Sequence, residues 1–188
     1  MVQKESQREV EAELCQPDNP APWMNREKKG LEEGIILIKG KERPHVLNEQ
    51  GYIKRLSTAV MEHTASNNMM IFIHRIIHHS GRHKHQGGYS LFVLEGKGYT
   101  TVDGVRNDWE EGDLILLPVK PGGVEHQHFN EDPKGASRWM ALVSRPLVEI
   151  LSRRVEQKEV HPDWKRRHGE KTACFEDGLT TEEQKKGK

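Results

Sequence analysis

Cysteine is nearly absent from this chain of 188 residues: Cys15 and Cys174, near opposite ends, are the only two, and no CxxC pair occurs. That excludes a disulfide framework and predicts a reduced, cytoplasmic protein. Aromatic residues make up 6% and hydrophobic residues 34%, against roughly 45–50% in an average globular chain, a benchmark that also counts glycine. The chain has material for one compact core flanked by polar segments, and its length fits one domain with terminal extensions. Net charge is missing too. The 29 Lys and Arg balance the 29 Asp and Glu, which removes the electrostatic case for nucleic acid or an anionic membrane surface. No apolar run approaches a membrane span. The stretch from Met1 to Glu13 is charged and lacks the apolar centre of a signal peptide.

What the chain does have is a series of short apolar runs punctuated by glycine. Val2 to Leu14 reads as a short, weakly packed helix, and Gln16 to Pro22, with three prolines in seven residues, as a linker. Gly34 to Lys39 is an apolar run expected as a buried strand, and Leu56 to His63 as a second. Asn68 to His78 is β-branched and aromatic, too short for a stand-alone helix. Further strands are expected over Tyr89 to Leu94, Tyr99 to Val102, Val105 to Trp109, Leu114 to Leu117, Gly123 to Asn130 and Arg138 to Ser144. Asp103-Gly104 is a strong hairpin signal between two of them. Many short strands joined by glycine turns predict an all-β closed barrel or double-sheet jelly roll. After Pro146, the apolar residues Leu147, Val148, Leu151 and Val155 recur at helical spacing. Beyond Lys158 the chain is charged, and Thr180 to Lys188 reads as disordered. The expected organisation is a polar extension over 1–33, a barrel over 34–145, and a helix with a charged tail over 146–188.

The second abundance is histidine, 11 in all. His83 and His85 are two apart, so on a strand both imidazoles share one face. His126 follows 41 residues after His85 on a returning strand, where a third imidazole can meet the pair and close a metal site with open positions. By itself a His-x-His pair is more often a pair of surface histidines than a ligand pair.

The spacing around the histidines resembles the two motifs of the cupin superfamily. Gly81 precedes the His83-Lys84-His85 pair and Gly96 follows it; Gly112 stands six residues before Pro118, and Asn130 four after His126. The resemblance implies a single double-stranded β-helix barrel with helical or irregular N- and C-terminal extensions. One position departs from the pattern: where the family motif has Glu, this chain has Tyr89 or Ser90, and Tyr89 keeps the register with Gly96. Glu125 and Gln86 remain as further candidate ligands. A neutral three-histidine set leaves the charge of a cation undiminished, which favours an anionic, chelating substrate and suits Fe(II); Zn, Ni or Mn fit the same donors.

Within the superfamily, the chain is most similar to gentisate 1,2-dioxygenases and related ring-cleaving cupins, in Leu94 to Gly104, Glu111 to Pro118 and the His126-x-His128-x-Asn130 sequence. That resemblance implies His83, His85 and His126 as metal ligands. It sets His128 beside the substrate, orienting a phenol oxygen or taking its proton. Tyr89 joins His128 as a candidate catalytic residue. Arg75, Arg82 and Arg106 are candidate clamps for a substrate carboxylate, and Trp139 a candidate pocket wall beside Trp109. His74, in an apolar strand, reads as a satisfied core histidine; His78 and His79 read as solvated, or as an entrance lid. The leading expectation is a mononuclear non-haem Fe(II) dioxygenase acting on a hydroxylated aromatic acid or similar chelating small molecule. The alternatives are an oxygen-independent lyase or isomerase, with Tyr89 or His128 as base, and a non-catalytic binding barrel. A homodimer is expected by resemblance.

Overall fold

The computed structural model describes residues 30, 32–58, 64–66, 68–151 and 155–170. The expected helix over 2–14, the proline-rich linker, both cysteines and the tail over 180–188 lie outside the described residues. Among the described residues, eleven strands form two antiparallel sheets. They are β1 (Val46–Asn48), β2 (Gly51–Ser57), β3 (Met69–Ile76), β4 (Arg82–His85), β5 (Tyr89–Glu95), β6 (Lys97–Val102), β7 (Val105–Glu110), β8 (Leu114–Leu117), β9 (Val124–Asn130), β10 (Ser137–Ser144) and β11 (Glu156–Glu159). One sheet has six strands in the order β1-β2-β3-β10-β5-β8; the other has five, in the order β11-β4-β9-β6-β7. The molecule is an all-β double-sheet jelly roll, as the strand spacing predicts.

The strands form because their residues alternate between the barrel interior and the outside. In β10, Ser137, Trp139, Ala141 and Val143 are buried and their neighbours are not. In β5, Tyr89, Leu91 and Val93 point inward. These residues, with Ile76, Trp109 and Leu117, make the apolar core. Each fully buried aliphatic side chain among them contributes about 1.5–3 kcal/mol relative to exposure. The hairpin expected at Asp103-Gly104 joins β6 to β7 with both residues at positive φ, 50° and 84°, which matches the right-handed strand twist.

Three expectations shift. Gly34 to Lys39 is not a buried strand: Ile36 is 91% exposed, Leu37 is 73% exposed, and only Ile35 makes an isolated bridge, to Thr64. An apolar run makes a strand only where a neighbour can satisfy its backbone, and among the described residues this one has no ladder. The strand expected over 56–63 starts earlier, as β2, where Gly51 and Ile53 face inward; residues 59–63 are outside the described set. Beyond the barrel, helix α1 (Arg145–Ile150) carries Pro146 in its first turn. The chain then returns as β11 and docks on β4, with Gln157 opposite His83, in a segment whose sequence reads as charged tail. Helix α2 (Pro162–His168) follows, capped by the His161 ring, which accepts from the Asp163 N–H at 3.1 Å. No described helix is long and apolar enough to cross a membrane.

Candidate metal centre

The centre is built on β4 and β9, adjacent interior strands of the smaller sheet. β4 and β9 pair so that His83 lies opposite His126, and His85 opposite Val124. With side chains alternating, His83, His85, His126 and His128 all turn inward, and all four are buried. Ring centroids are 4.3 Å apart for His83 and His126, 4.7 Å for His85 and His126, and 5.2 Å for His83 and His85. One ring nitrogen from each of these three lies within 4.8 Å of the others, and among the described residues no Asp, Glu or Cys joins the set.

The tautomers follow from the backbone. His83 Nδ1 lies 3.2 Å from the Gly81 carbonyl, His85 Nδ1 2.6 Å from that of Gln86, and His126 Nδ1 3.3 Å from that of Val124. A carbonyl only accepts, so each Nδ1 carries the proton and donates it, leaving the lone pair on Nε2. A donor to a backbone carbonyl on the far nitrogen is the usual support for an imidazole that ligates through Nε2. Burial, with the neighbouring His126 and His85, holds the His83 imidazolium well below its ordinary pKa. Three neutral, convergent, pre-oriented imidazoles therefore fit a divalent transition metal.

The inner wall continues from there. Tyr89, at the head of β5, is 4% exposed with its ring 4.6 Å from that of His85, so a phenol stands where the motif carboxylate was expected. His128 is fully buried, its ring 5.5 Å from that of His126 and 4.7 Å from that of Trp139. Burial foremost, then His126, His74 and His85, keeps His128 well below the ordinary imidazole pKa. Trp139 Nε1 is a buried donor with no acceptor among the described residues, which marks a place for a ligand or water oxygen. Of the expected pocket residues, Tyr89, His128 and Trp139 are thus brought together with the three histidines.

The arginines are not. Arg75 is exposed on β3 beside the inward His74, and Arg82 turns outward beside His83, where it pairs with Glu125 at 3.2 Å and Glu159 at 3.7 Å. Arg106, three residues from the inward Trp109, is exposed, pairs with Asp108 and Glu131, and covers the Tyr99 ring at 3.7 Å. Strand alternation puts all three on the wrong face for a clamp at the metal. The same rule removes Glu125, which faces Arg82. Gln86 is a loop clamp: its amide donates to the Lys120 carbonyl and accepts from the Gly87 and Lys120 N–H groups. His74 is buried, as expected, but its Nε2 makes no hydrogen bond of good geometry among the described residues. Burial and the facing His161 push its pKa down to about 3. His78 is exposed at the strand end, while His79 is half-buried and bridges to Phe129.

Two supports escape the sequence reading. Ser80 Oγ accepts from the His128 N–H at 2.9 Å, and the Ser80 N–H donates to the His128 carbonyl at 2.8 Å, which fixes β9 where His128 enters the barrel. Thr100, opposite His128 on β6, bonds its Nδ1 at 2.8 Å. The inward alternation of Gly98, Thr100 and Val102 is the signal that would have found the latter.

The cupin domain family model matches residues 77–143, a span that runs from β4 through all but the last residue of β10 and holds His83, His85, His126 and His128. This part of the chain is a cupin domain. Over 70 residues the protein is 36% identical to gentisate 1,2-dioxygenase from Ralstonia sp, covering 37% of this chain and 19% of that enzyme. Salicylate 1,2-dioxygenase from Pseudoaminobacter salicylatoxidans, solved as adducts with gentisate, is 17% identical with a TM-score of 0.49, over 63% of this chain and 31% of that one. A predicted oxalate decarboxylase from Thermotoga maritima is 17% identical with a TM-score of 0.45, over 58% of this chain and 98% of that one. The chain thus spans only about a fifth of the gentisate dioxygenase it matches.

Proposed function

We propose that the protein is a mononuclear metal-dependent cupin enzyme, a non-haem Fe(II) dioxygenase for a hydroxylated aromatic acid or a similar chelating small molecule. The observation that carries this reading is the set of three Nε2 lone pairs converging from His83, His85 and His126, with no carboxylate beside them among the described residues. Bound there, Fe(II) would supply the affinity for a chelating oxyanion and the oxygen chemistry; Zn, Ni or Mn suit the same donors.

The chain's own residues do the rest. With Arg75, Arg82 and Arg106 turned outward, the donors that the inner wall offers an anionic substrate are neutral ones: the His128 ring and the Trp139 N–H. Trp139, His74 and Tyr89 form a dry wall against which an aromatic ring can stack. The Tyr89 hydroxyl stands beside His85 as a polar group able to hold a proton near bound substrate. Oxygen uptake by Fe(II)-loaded protein against hydroxybenzoates and other hydroxy acids tests the reading. Uptake stoichiometric with one substrate supports it. Turnover that persists under strict anaerobiosis would replace the dioxygenase with a lyase or isomerase.

We also propose a homodimer. Phe92, Leu94, Leu114 and Leu116 are exposed on the outer face of β5 and the edge strand β8, next to Met140, Leu142, Ile71 and Ile73 of β10 and β3. Such a patch is a liability in a monomer. An apolar face is its own complement under a twofold axis, and a chain of net charge +0 does not repel its copy. Light scattering on native protein and on Leu116→Glu should give a dimer and a monomer; a native monomer would end this proposal.

A further inference from the structure

We propose that Trp109 and Thr100 are positioning residues, a two-step hydrogen-bond relay that holds His128 in the tautomer with its proton on Nε2. His128 is then a fixed donor to a substrate oxygen and has no lone pair on that nitrogen for taking a proton. The consequence for substrate rests on the reading of His128 as a substrate neighbour; the tautomer does not.

The relay runs across three adjacent strands. Trp109 Nε1 donates to Thr100 Oγ1 at 2.9 Å, and Thr100 Oγ1 lies 2.8 Å from His128 Nδ1. Trp109 is 4% exposed, Thr100 is 0% and His128 is 1%. An indole nitrogen only donates, so the Trp109 hydrogen fixes one side of the hydroxyl as acceptor. The threonine has one hydrogen of its own, and among the described residues its hydroxyl has these two partners alone. That hydrogen goes to His128 Nδ1, which must be the bare nitrogen. In the opposite tautomer the hydroxyl oxygen would accept from two donors while its own hydrogen lay buried without an acceptor, the costly arrangement for a polar group in a core.

The register makes this possible. Thr100 is directly opposite His128, and Trp109 is opposite Gly98, two residues before Thr100 on the same inward face. The indole reaches Thr100 by lying across Gly98. A Cβ there would come within 2.8 Å and 2.9 Å of the indole carbons and 2.0 Å of the Phe129 carbonyl oxygen. The glycine is therefore part of the device.

The result is a division of labour between two imidazoles two residues apart. His126 donates from Nδ1 to the backbone and presents a lone pair on Nε2, the form that ligates a cation. His128 accepts at Nδ1 and presents a proton on Nε2, the form that binds an oxygen. That selects a substrate oxygen already able to accept: a carboxylate, a carbonyl or a phenolate. A neutral phenol can also accept through its oxygen lone pair, but in this tautomer any proton it gives up goes to a group other than His128 Nε2.

Long-range proton–nitrogen correlation spectra of 15N-labelled protein read the tautomer of each histidine directly, in the metal-free and Zn-loaded forms, with His128→Gln to assign the signal. The expected pattern is Nε2–H for His128 in both forms, and Nδ1–H for His83, His85 and His126 without metal. Thr100→Val should release His128 to Nδ1–H or a mixture; Thr100→Ser, which keeps the hydroxyl, should retain Nε2–H. Nδ1–H for His128 in the native protein overturns the proposal, as does an unchanged pattern in Thr100→Val. If the valine variant fails to fold, the native spectrum and Thr100→Ser still decide. An absence of oxygen uptake would refute the dioxygenase and leave this result untouched.

Discussion

His74 offers a quantitative link between the buried histidines and stability. Its folded pKa of about 3, set first by burial and then by His161, lies far below the ordinary 6.5. Above pH 6.5 the imidazole is neutral in both folded and unfolded chains and contributes no pH dependence. Below that, the unfolded chain takes up a proton that the folded chain refuses, so stability falls as pH falls, by about 1.4 kcal/mol per pH unit down to about pH 3. At pH 5 this single residue removes about 2 kcal/mol. His83 and His128 are lowered in the same direction, first by burial and then by neighbouring histidines, so each adds to the loss as pH falls. The assay is urea unfolding of chelator-treated protein from pH 8 to pH 5, followed by tryptophan fluorescence, for the native chain and His74→Phe. The variant keeps a ring of similar size and should lose about 2 kcal/mol less over that interval. Parallel pH curves for the two proteins would refute the reasoning.

Other perturbations give smaller, local readouts. Asn130→Ala removes a side chain that donates to the Ile77 and Gly135 carbonyls and accepts from the Asp132 N–H and Ser137 hydroxyl; urea unfolding should show a loss of about 2 kcal/mol. Leu91→Ala, at a 1% exposed core position, should cost about 2–5 kcal/mol in the same assay. Arg82→Gln breaks exposed ion pairs outside the barrel and should change metal content and stability little, on the order of 0–1 kcal/mol in urea.

Much of this was legible because the barrel obeys a period of two. The residues whose side chains must alternate, from Met69 to Ile76, Tyr89 to Val93 and Ser137 to Val143, also carry the clearest apolar alternation or β-branched character, and the same parity aligns His83 with His85 and His126 with His128. The pairing of His83 with His126 follows from register, which the turn glycines help to set. What escaped were features decided by neighbours distant in sequence. Gly34 to Lys39 is apolar but has no strand to lie beside among the described residues. Gln157 and its charged strand gain order only because β4 offers an edge. Arg75, Arg82 and Arg106 read as anion clamps by residue type, but parity relative to His74, His83 and Trp109 turns them outward. Strand parity turns Thr100 inward, but what it does there shows only once Trp109 and His128 are placed on either side of it.

Metal content decides whether the histidine set is a metal centre. Native protein loaded with Fe(II) under anaerobic conditions and desalted should retain one metal ion per chain. His126→Ala, with the fold verified by circular dichroism, should retain almost none, and Glu125→Gln, on the outward side of the same strand, should match the native chain. Full metal retention in folded His126→Ala, or none in the native protein, would contradict the assignment of His83, His85 and His126 as ligands.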